Sequence, residues 1–437
     1  MHRRTFLALS GAGLAALWIR AVPPPNSLSP ADEEFLEDLQ RRCFRYFQEK
    51  TDPDTGLTLD RAQSNGAPYT LDQRPTANIT VTGFGLAAFC IAAERGWITR
   101  NEAAGRVRTA LRFFARRAPH ERGWFYHWIH LRQGTRAAAY STRGELSEIS
   151  TVDSALLMAG ILTARRYFAS DKEISDLAEE IYRRIDFPWM LESKTPAFCH
   201  GWTPERGFIT YLWSNYSEAS VLYLLAIGSP THPVPASSWY AWTRNPNVYG
   251  TYRFIGTAPL FTHQYSHAFV DFRGLRDNRG SGVDWFANSV TATRAHRQFC
   301  MDLHKTFPGY TPEIWGITCS MSVDGYLDWG GPPLDSRIDG TVVPAAAGGS
   351  LQFAPDLCIP ALRAMKDGFG GTIYGRYGFT DAFHPTNGWV SPNVIGLNLG
   401  IILLSAENLR SGKLWNWFMA NPEPRLAMEL AGFRAAA

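Results

Sequence analysis

From residue 31 onward the chain is built of helical patterns. In ADEEFLEDLQRRCFRYFQEK (31–50) apolar residues recur every three or four positions and acidic residues open the run, which predicts an amphipathic helix. A Gly/Asp/Pro-rich loop covers 51–76. Further helices are predicted at 78–95, 101–117, 149–168, 172–192, 214–228, 261–273, 284–306 and 352–367, with a last apolar one at 396–410. The stretch GWFYHWIHL (123–131) reads as a short strand. No βαβ alternation appears, and no low-complexity linker divides the run. Roughly eleven or twelve helices paired by loops predict an all-α fold, the (α/α)6 toroid, with long loops forming a cleft at one rim. A single domain is expected over 31–433.

Composition narrows the class of function. Of 437 residues only 19% are charged and 13% are aromatic, including 15 Trp and 17 Tyr. That supply of flat rings suits a protein that stacks sugar-like ligands. A net charge of +3 gives no basic stripe, so nucleic acid is not an expected partner. The six cysteines are scattered without CxxC spacing, which excludes a zinc framework and points to buried thiols. Residues 1–21 open with Arg3-Arg4-Thr5-Phe6-Leu7 and a short apolar run, the pattern of a twin-arginine export signal. Residues 22–30 form a short Pro-rich lead. The expectation is a periplasmic or secreted monomer, with no stable membrane insertion once the signal is removed.

One carboxylate stands out. Within LWSNYSEASVLYLLAIG (212–228), Glu218 enters a run that is apolar almost all round. An ionised carboxylate there costs several kcal/mol unless it is paired, protonated or in a wet pocket. Trp202, Trp213 and Tyr216 are close in sequence, and a carboxyl beside aromatic rings is a way to keep an acid protonated near neutral pH. A capping box with Asn215 as N-cap and Glu218 as N3 would explain the same residue structurally. A second acidic group, GELSEISTVDSALLMAG (144–160), holds Glu145, Glu148 and Asp153. Asp153 suits a helix start, but it could equally serve as a base facing Glu218, since two carboxyls about 6.5–9.5 Å apart with a water between them support inverting glycoside hydrolysis.

Two further clusters suit a ligand wall. In FTHQYSHAFVDFRG (261–274), His263, His267 and Asp271 fall four residues apart and would share one helix face. The block has Gln264 where an HExxH protease needs its Glu, so a metal site is disfavoured and Gln264, His267, Asp271 and Arg273 are read as hydrogen-bonding groups for sugar hydroxyls. Asp324 and Tyr326 lie in a Gly-rich loop (315–333), and Asp60-Arg61 follow TGLTL as an ion pair or subsite. Phosphate loops, GxSxG elbows and GxGxxG fingerprints are absent from the sequence, which disfavours NTPases, α/β-hydrolases and dehydrogenases.

The blocks GLTLDR (56–61), SEISTVDSALLMAG (147–160), GFITYLWSNYSEA (207–219), HQYSHAFVDFRG (263–274), DGTVVPAAAGGSLQFAPDLCIPALRAM (339–365) and YGFTDAF (377–383), in this order, resemble the bacterial endo-β-1,2-glucanase family, glycoside hydrolase family 144. The resemblance implies an (α/α)6 toroid that hydrolyses β-1,2-glucan to sophorose or short β-1,2-glucooligosaccharides by inversion, with no metal or other cofactor. It places the general acid on Glu218 and the partner acid on Glu148 or Asp153, with both still open. Where family members carry Asp-Gln-Gly-Pro, this chain has Asn398-Leu399-Gly400-Ile401, which implies altered hydrogen bonding to the sugar. Rival readings are a phosphorylase or transglycosylase on the same polymer, a polysaccharide lyase, and a non-catalytic periplasmic glucan-binding protein.

Overall fold

The computed structural model describes residues 28–68, 75–138, 145–280, 282–332 and 337–436, so the twin-arginine segment and its cleavage point lie outside the described residues. Thirteen α-helices appear among them. They are α1 (Pro30–Lys50), α2 (Ile79–Glu94), α3 (Arg100–Arg116), α4 (Thr151–Tyr167), α5 (Lys172–Arg183), α6 (Ser220–Ile227) and α7 (Tyr265–Phe269). The rest are α8 (Trp285–Asp302), α9 (Pro344–Gly348), α10 (Pro355–Phe369), α11 (Gly396–Arg410), α12 (Lys413–Met419) and α13 (Pro422–Leu430).

Burial sorts these helices into two rings. Helix α2 is buried at every position from Ile79 to Ala92, α6 throughout, and α11 at all but one position from Gly396 to Leu409. A helix that is apolar all round must be surrounded, and these are. They form an inner ring with α4, α7 and α9, in the order α2, α4, α6, α7, α9, α11 and back to α2. Helices α3 and α5 show the other pattern, with one apolar stripe inward. Their outer faces are joined by Arg108–Asp171 at 2.9 Å and Arg112–Glu173 at 2.6 Å. Exposed pairs of this kind add little stability. The inner-and-outer arrangement is the α/α toroid.

The inner helices α2 and α4 meet backbone to backbone. A Cβ on Gly160 would lie 2.1 Å from the carbonyl oxygen of Gly83, and one on Gly83 would lie 2.7 Å from that of Leu156. We therefore expect Gly160→Ala to cost about 2–3 kcal/mol by forcing the two helices apart. Urea unfolding measures this, and an unchanged midpoint would contradict the close approach.

Short antiparallel ribbons lead into the inner ring and form the rim of the site. Thr76–Asn78, just before α2, pairs with Trp128–His130 in the register Asn78↔Trp128. Ile149–Ser150, just before α4, pairs with Gly201–Thr203, and Asn393–Ile395, just before α11, pairs with Arg61–Gln63. Each ribbon sets where an inner helix begins. The caps are local: Asn78 Oδ1 accepts from the N–H of Thr80 at 2.8 Å, and Ser150 Oγ from that of Asp153 at 3.3 Å.

The expected strand 123–131 divides into Trp124–Phe125 and Trp128–His130. The expected helix 261–273 is a 3-10 turn at Leu260–His263 followed by the short α7. The six cysteines are buried and unpaired, and no described helix is long and apolar enough to cross a membrane.

Candidate active site

A cavity of about 130 Å³ opens at the N-terminal ends of the inner helices. Helix α4 contributes Val152, Asp153 and Leu156, and Glu218 stands just before α6. Phe261 and Tyr265 approach from the α7 side, and Ile395, Leu397 and Asn398 from the start of α11. His127, Cys319 and Tyr326 complete the lining.

Glu218 is there because α6 starts late. The helix begins at Ser220, its N-cap is Ala219, and no side chain caps it. Asn215 instead bridges in parallel to Thr243, so the capping box is not formed. The backbone carbonyl of Glu218 accepts from Ser266 Oγ, which fixes the turn. Its side chain is buried, and Oε2 has no hydrogen-bond partner among the described residues. Burial pushes this carboxyl up to about 7, and the negative charge of Asp153 adds to the effect. The group is thus a sizeable fraction protonated at neutral pH.

Asp153 has the opposite surroundings, with hydrogen-bond donors on both oxygens. Its Oδ1 accepts from Thr80 Oγ1 and its Oδ2 from Ser150 Oγ, both at 2.6 Å. His127 Nε2 lies 3.5 Å from Oδ1 of Asp153, and His127 Nδ1 lies 2.9 Å from Oε1 of Glu148. The imidazole also stacks on Trp128 at 4.5 Å. Burial disfavours its charge, but Asp153 and Glu148 outweigh that and push His127 up to about 9. The two carboxylates thus favour the charged imidazolium, against the Asn78 amide nitrogen that stands 3.2 Å from Nε2. Glu148, although burial opposes it, is held below the usual carboxylate range by His127. Two acids on one cavity thus sit in contrasting environments, Glu218 buried without a hydrogen-bond partner for Oε2 and Asp153 accepting from two hydroxyls, as an acid/base pair needs.

Behind the cavity Arg61 bonds Asp60 at 2.6 Å and lies 5.5 Å from the ring of Tyr326. Asp381 is buried there too. It accepts from the N–H of Met321 at 2.6 Å and from Asn398 Nδ2 at 2.7 Å. Burial pushes Asp381 up to about 6 against these bonds and the charge of Arg61.

The structure brings Glu218, Asp153 and Tyr326 to the cavity, with Glu148 and Asp60-Arg61 in contact with its lining. Other expected ligand groups are elsewhere. Tyr216 is buried, stacked on Trp285 at 4.5 Å and bonded to His267 Nε2 at 2.8 Å, so it is a core residue rather than a sugar platform. Gln264 is buried and ties α7 to α9 through Ala346 O at 3.0 Å and Ser350 Oγ at 2.8 Å. His267 is buried behind the cavity, and its carbonyl accepts from Trp415 Nε1.

Of the face expected of His263, His267 and Asp271, the two histidines meet at Ser289 Oγ, each at 3.2 Å, but Asp271 does not join them, because α7 ends at Phe269 and its C-cap Val270 is extended. Asp271 and Arg273 pair with each other at 2.8 Å beyond that end, with Arg273 over the ring of Trp415 at 4.0 Å. Trp202 packs against Trp189 at 5.3 Å, and Trp213 stacks on His200 at 3.7 Å. Neither lines the cavity. Asp324 is exposed at the tip of the hairpin Ser320–Ser322/Gly325–Leu327. His127 and Asp381 were not singled out by sequence reasoning. The signals present were an imidazole among the aromatics of GWFYHWIHL and an acid flanked by apolar residues in YGFTDAF.

Among the described residues no group of three His, Cys, Asp or Glu side chains is placed to hold a metal ion.

Residues 210–422 match the family model described as Glycoamylase. The chain is 27% identical over 425 residues to the exo β-1,2-glucooligosaccharide sophorohydrolase (non-reducing end) of Parabacteroides distasonis. That match covers 90% of this chain but only 57% of the relative, so the chain spans little more than half of that protein's length. An endo-β-1,2-glucanase from Chitinophaga pinensis, solved with sophorotriose and glucose, superposes with a TM-score of 0.84 at 26% identity, covering 94% of this chain and 99% of that one. An endo-β-1,2-glucanase from Talaromyces funiculosus, at 12% identity and a TM-score of 0.62 over 91% of this chain and 90% of that one, shares the fold. Residues 210–422 are thus similar to the glycoamylase family model, and the chain that carries them shares the α/α toroid fold of these solved structures.

Proposed function

We propose that this chain hydrolyses β-1,2-linked glucan, or oligosaccharides of it, by inversion, with Glu218 as general acid and Asp153 as general base. The observation that carries the reading is the buried Glu218 carboxyl, with an unbonded oxygen, in one cavity with Asp153, whose two oxygens accept from Thr80 and Ser150. The names of the relatives in P. distasonis and C. pinensis support the substrate.

In this reading Glu218 donates its proton to the glycosidic oxygen directly or through a substrate hydroxyl, as the leaving sugar departs. Asp153 takes a proton from a water on the other face of the ring. Thr80, Ser150 and His127 keep its oxygens fixed, so little reorganisation accompanies the step. Phe261, Tyr265 and Tyr326 supply apolar faces for pyranose rings. Glu148 acts through His127 rather than on substrate.

Incubation with linear β-1,2-glucan, without added metal or phosphate, is expected to release sophorose or short β-1,2-oligosaccharides of initially α configuration. Product sizes then separate exo from endo cleavage. Products that require phosphate, unsaturated products, or initial β configuration would each overturn the reading. We also propose export through the twin-arginine route from Arg3-Arg4, and expect Arg3→Lys/Arg4→Lys to retain the protein in the cytoplasm.

A further inference from the structure

Asn398 stands at the start of α11, three places round the inner ring from α6 and Glu218. Its amide nitrogen donates to Asp381 Oδ1 at 2.7 Å and to the carbonyl oxygen of Cys319 at 3.2 Å. An amide nitrogen has two hydrogens, so both are used. The orientation follows from the partners. Reversing the amide would set Oδ1 against a carboxylate oxygen and a carbonyl oxygen, neither of which can donate.

Asp381 is itself anchored. Its second oxygen accepts from the N–H of Met321, and Arg61 beside it opposes the effects of burial and of Asp60. At neutral pH it is mainly ionised and accepts only. Asn398 lines the cavity, and with its nitrogen committed to Asp381 and Cys319 the atom it has left to offer is Oδ1, for which no described donor is present.

We infer that Asn398 is a specificity-determining residue that offers the cavity a neutral hydrogen-bond acceptor and no donor, and that Asp381 is the positioning residue that enforces this. The inference rests on the glucan-hydrolase reading of the cavity. The group that binds there must be an O–H donor, either a hydroxyl of the bound sugar or the attacking water. A bare acceptor rejects a ring position whose hydroxyl has been replaced by an acceptor or removed, because Oδ1 is then left unpaired.

The test uses Asp381→Asn, Asn398→Leu and the exchanged pair Asp381→Asn/Asn398→Asp, with linear β-1,2-gluco-oligosaccharides as substrate. In Asp381→Asn the new amide must accept from Met321 and so presents its NH2 to Asn398, which either faces that NH2 with its own or turns at the cost of setting Oδ1 against the Cys319 carbonyl; both outcomes end the held acceptor. kcat/KM is expected to fall roughly ten- to a hundredfold. Asn398→Leu, which removes the acceptor with little change of size, is expected to show a similar loss. The exchanged pair restores an anchored acceptor, now a carboxylate with one oxygen beside the Cys319 carbonyl, and is expected to recover part of the activity, which a purely structural role would not give. A loss confined to KM assigns the donor as a sugar hydroxyl, and a loss confined to kcat assigns it as the water.

Wild-type kcat/KM in Asp381→Asn, or an exchanged pair no better than the single variant, overturns the inference. Should the wild type not cleave β-1,2-glucan, the hydrolase reading fails separately, and sophorose binding by calorimetry decides this inference. A roughly tenfold weaker affinity in Asp381→Asn supports it, whereas equal affinities, or no binding by the wild type, overturn it.

Discussion

Glu218→Gln is expected to lose nearly all turnover and, above pH 7, to be more stable than the wild type. The activity loss follows from the proton: a glutamine fills the same space but cannot donate it, and general acid catalysis contributes on the order of 10²–10⁴-fold. With an acid at about 7, kcat/KM of the wild type should decline above neutrality with a slope of one proton. The residual rate of the variant should lack that decline. The stability gain follows from the same burial. The folded protein keeps a proton on Glu218 that the unfolded chain releases between 4.5 and about 7, so stability falls as pH rises through that window and stays lowered above it.

At 1.36 kcal/mol per unit this amounts to about 3 kcal/mol at pH 8 and almost nothing at pH 4.5. Glutamine has no charge to bury. Urea unfolding of both proteins at pH 5 and pH 8 reads the difference. Near-full activity in Glu218→Gln, or a stability difference that does not change with pH, would remove the acid assignment. A site residue that destabilises its own fold is the expected trade between activity and stability.

Glu218 was legible in the sequence because a lone carboxylate entering an apolar helix violates a local rule, and such violations gather at functional sites. The inner helices were legible for the same kind of reason, since α2 and α11 are too apolar to be anything but enclosed. What the pattern did not reveal depends on partners remote in the chain. Tyr216 beside an acid reads as a sugar platform until Trp285, nearly seventy positions on, covers its face. Gln264 and His267 read as cavity walls until α9, Ser289 and Trp415 claim them. The periodicity of His263, His267 and Asp271 presumed a helix that stops at Phe269. His127 and Asp381 are ordinary residues in their own segments and become notable only when α4 and α11 bring carboxylate and amide partners to them.

The two acids of SEISTVD are expected to separate sharply on substitution. Asp153 lines the cavity, whereas Glu148 reaches it only through the ring of His127. Asp153→Asn should therefore lower kcat by about 10³-fold, and Glu148→Gln by about tenfold at most. Small anions make the distinction chemical. Azide needs no base, so in Asp153→Asn it should restore cleavage and be captured as the α-glycosyl azide, which Glu148→Gln has no reason to form.

Both variants should also move His127, for which burial is outweighed by Asp153 and Glu148 together. An imidazolium held up to about 9 contributes stability that is fully present below 6.5 and is lost as pH rises through 9, at most about 3 kcal/mol in all. Removing either carboxylate's charge should shrink that loss and end it at a lower pH, measurable by urea unfolding between pH 6 and 10. If Glu148→Gln lost as much activity as Asp153→Asn and azide rescued it instead, Glu148 would be the base and His127 no more than its support. The geometry argues against that outcome, because Asp153 lines the cavity and Glu148 does not, and His127, which lines it, stands between the two acids.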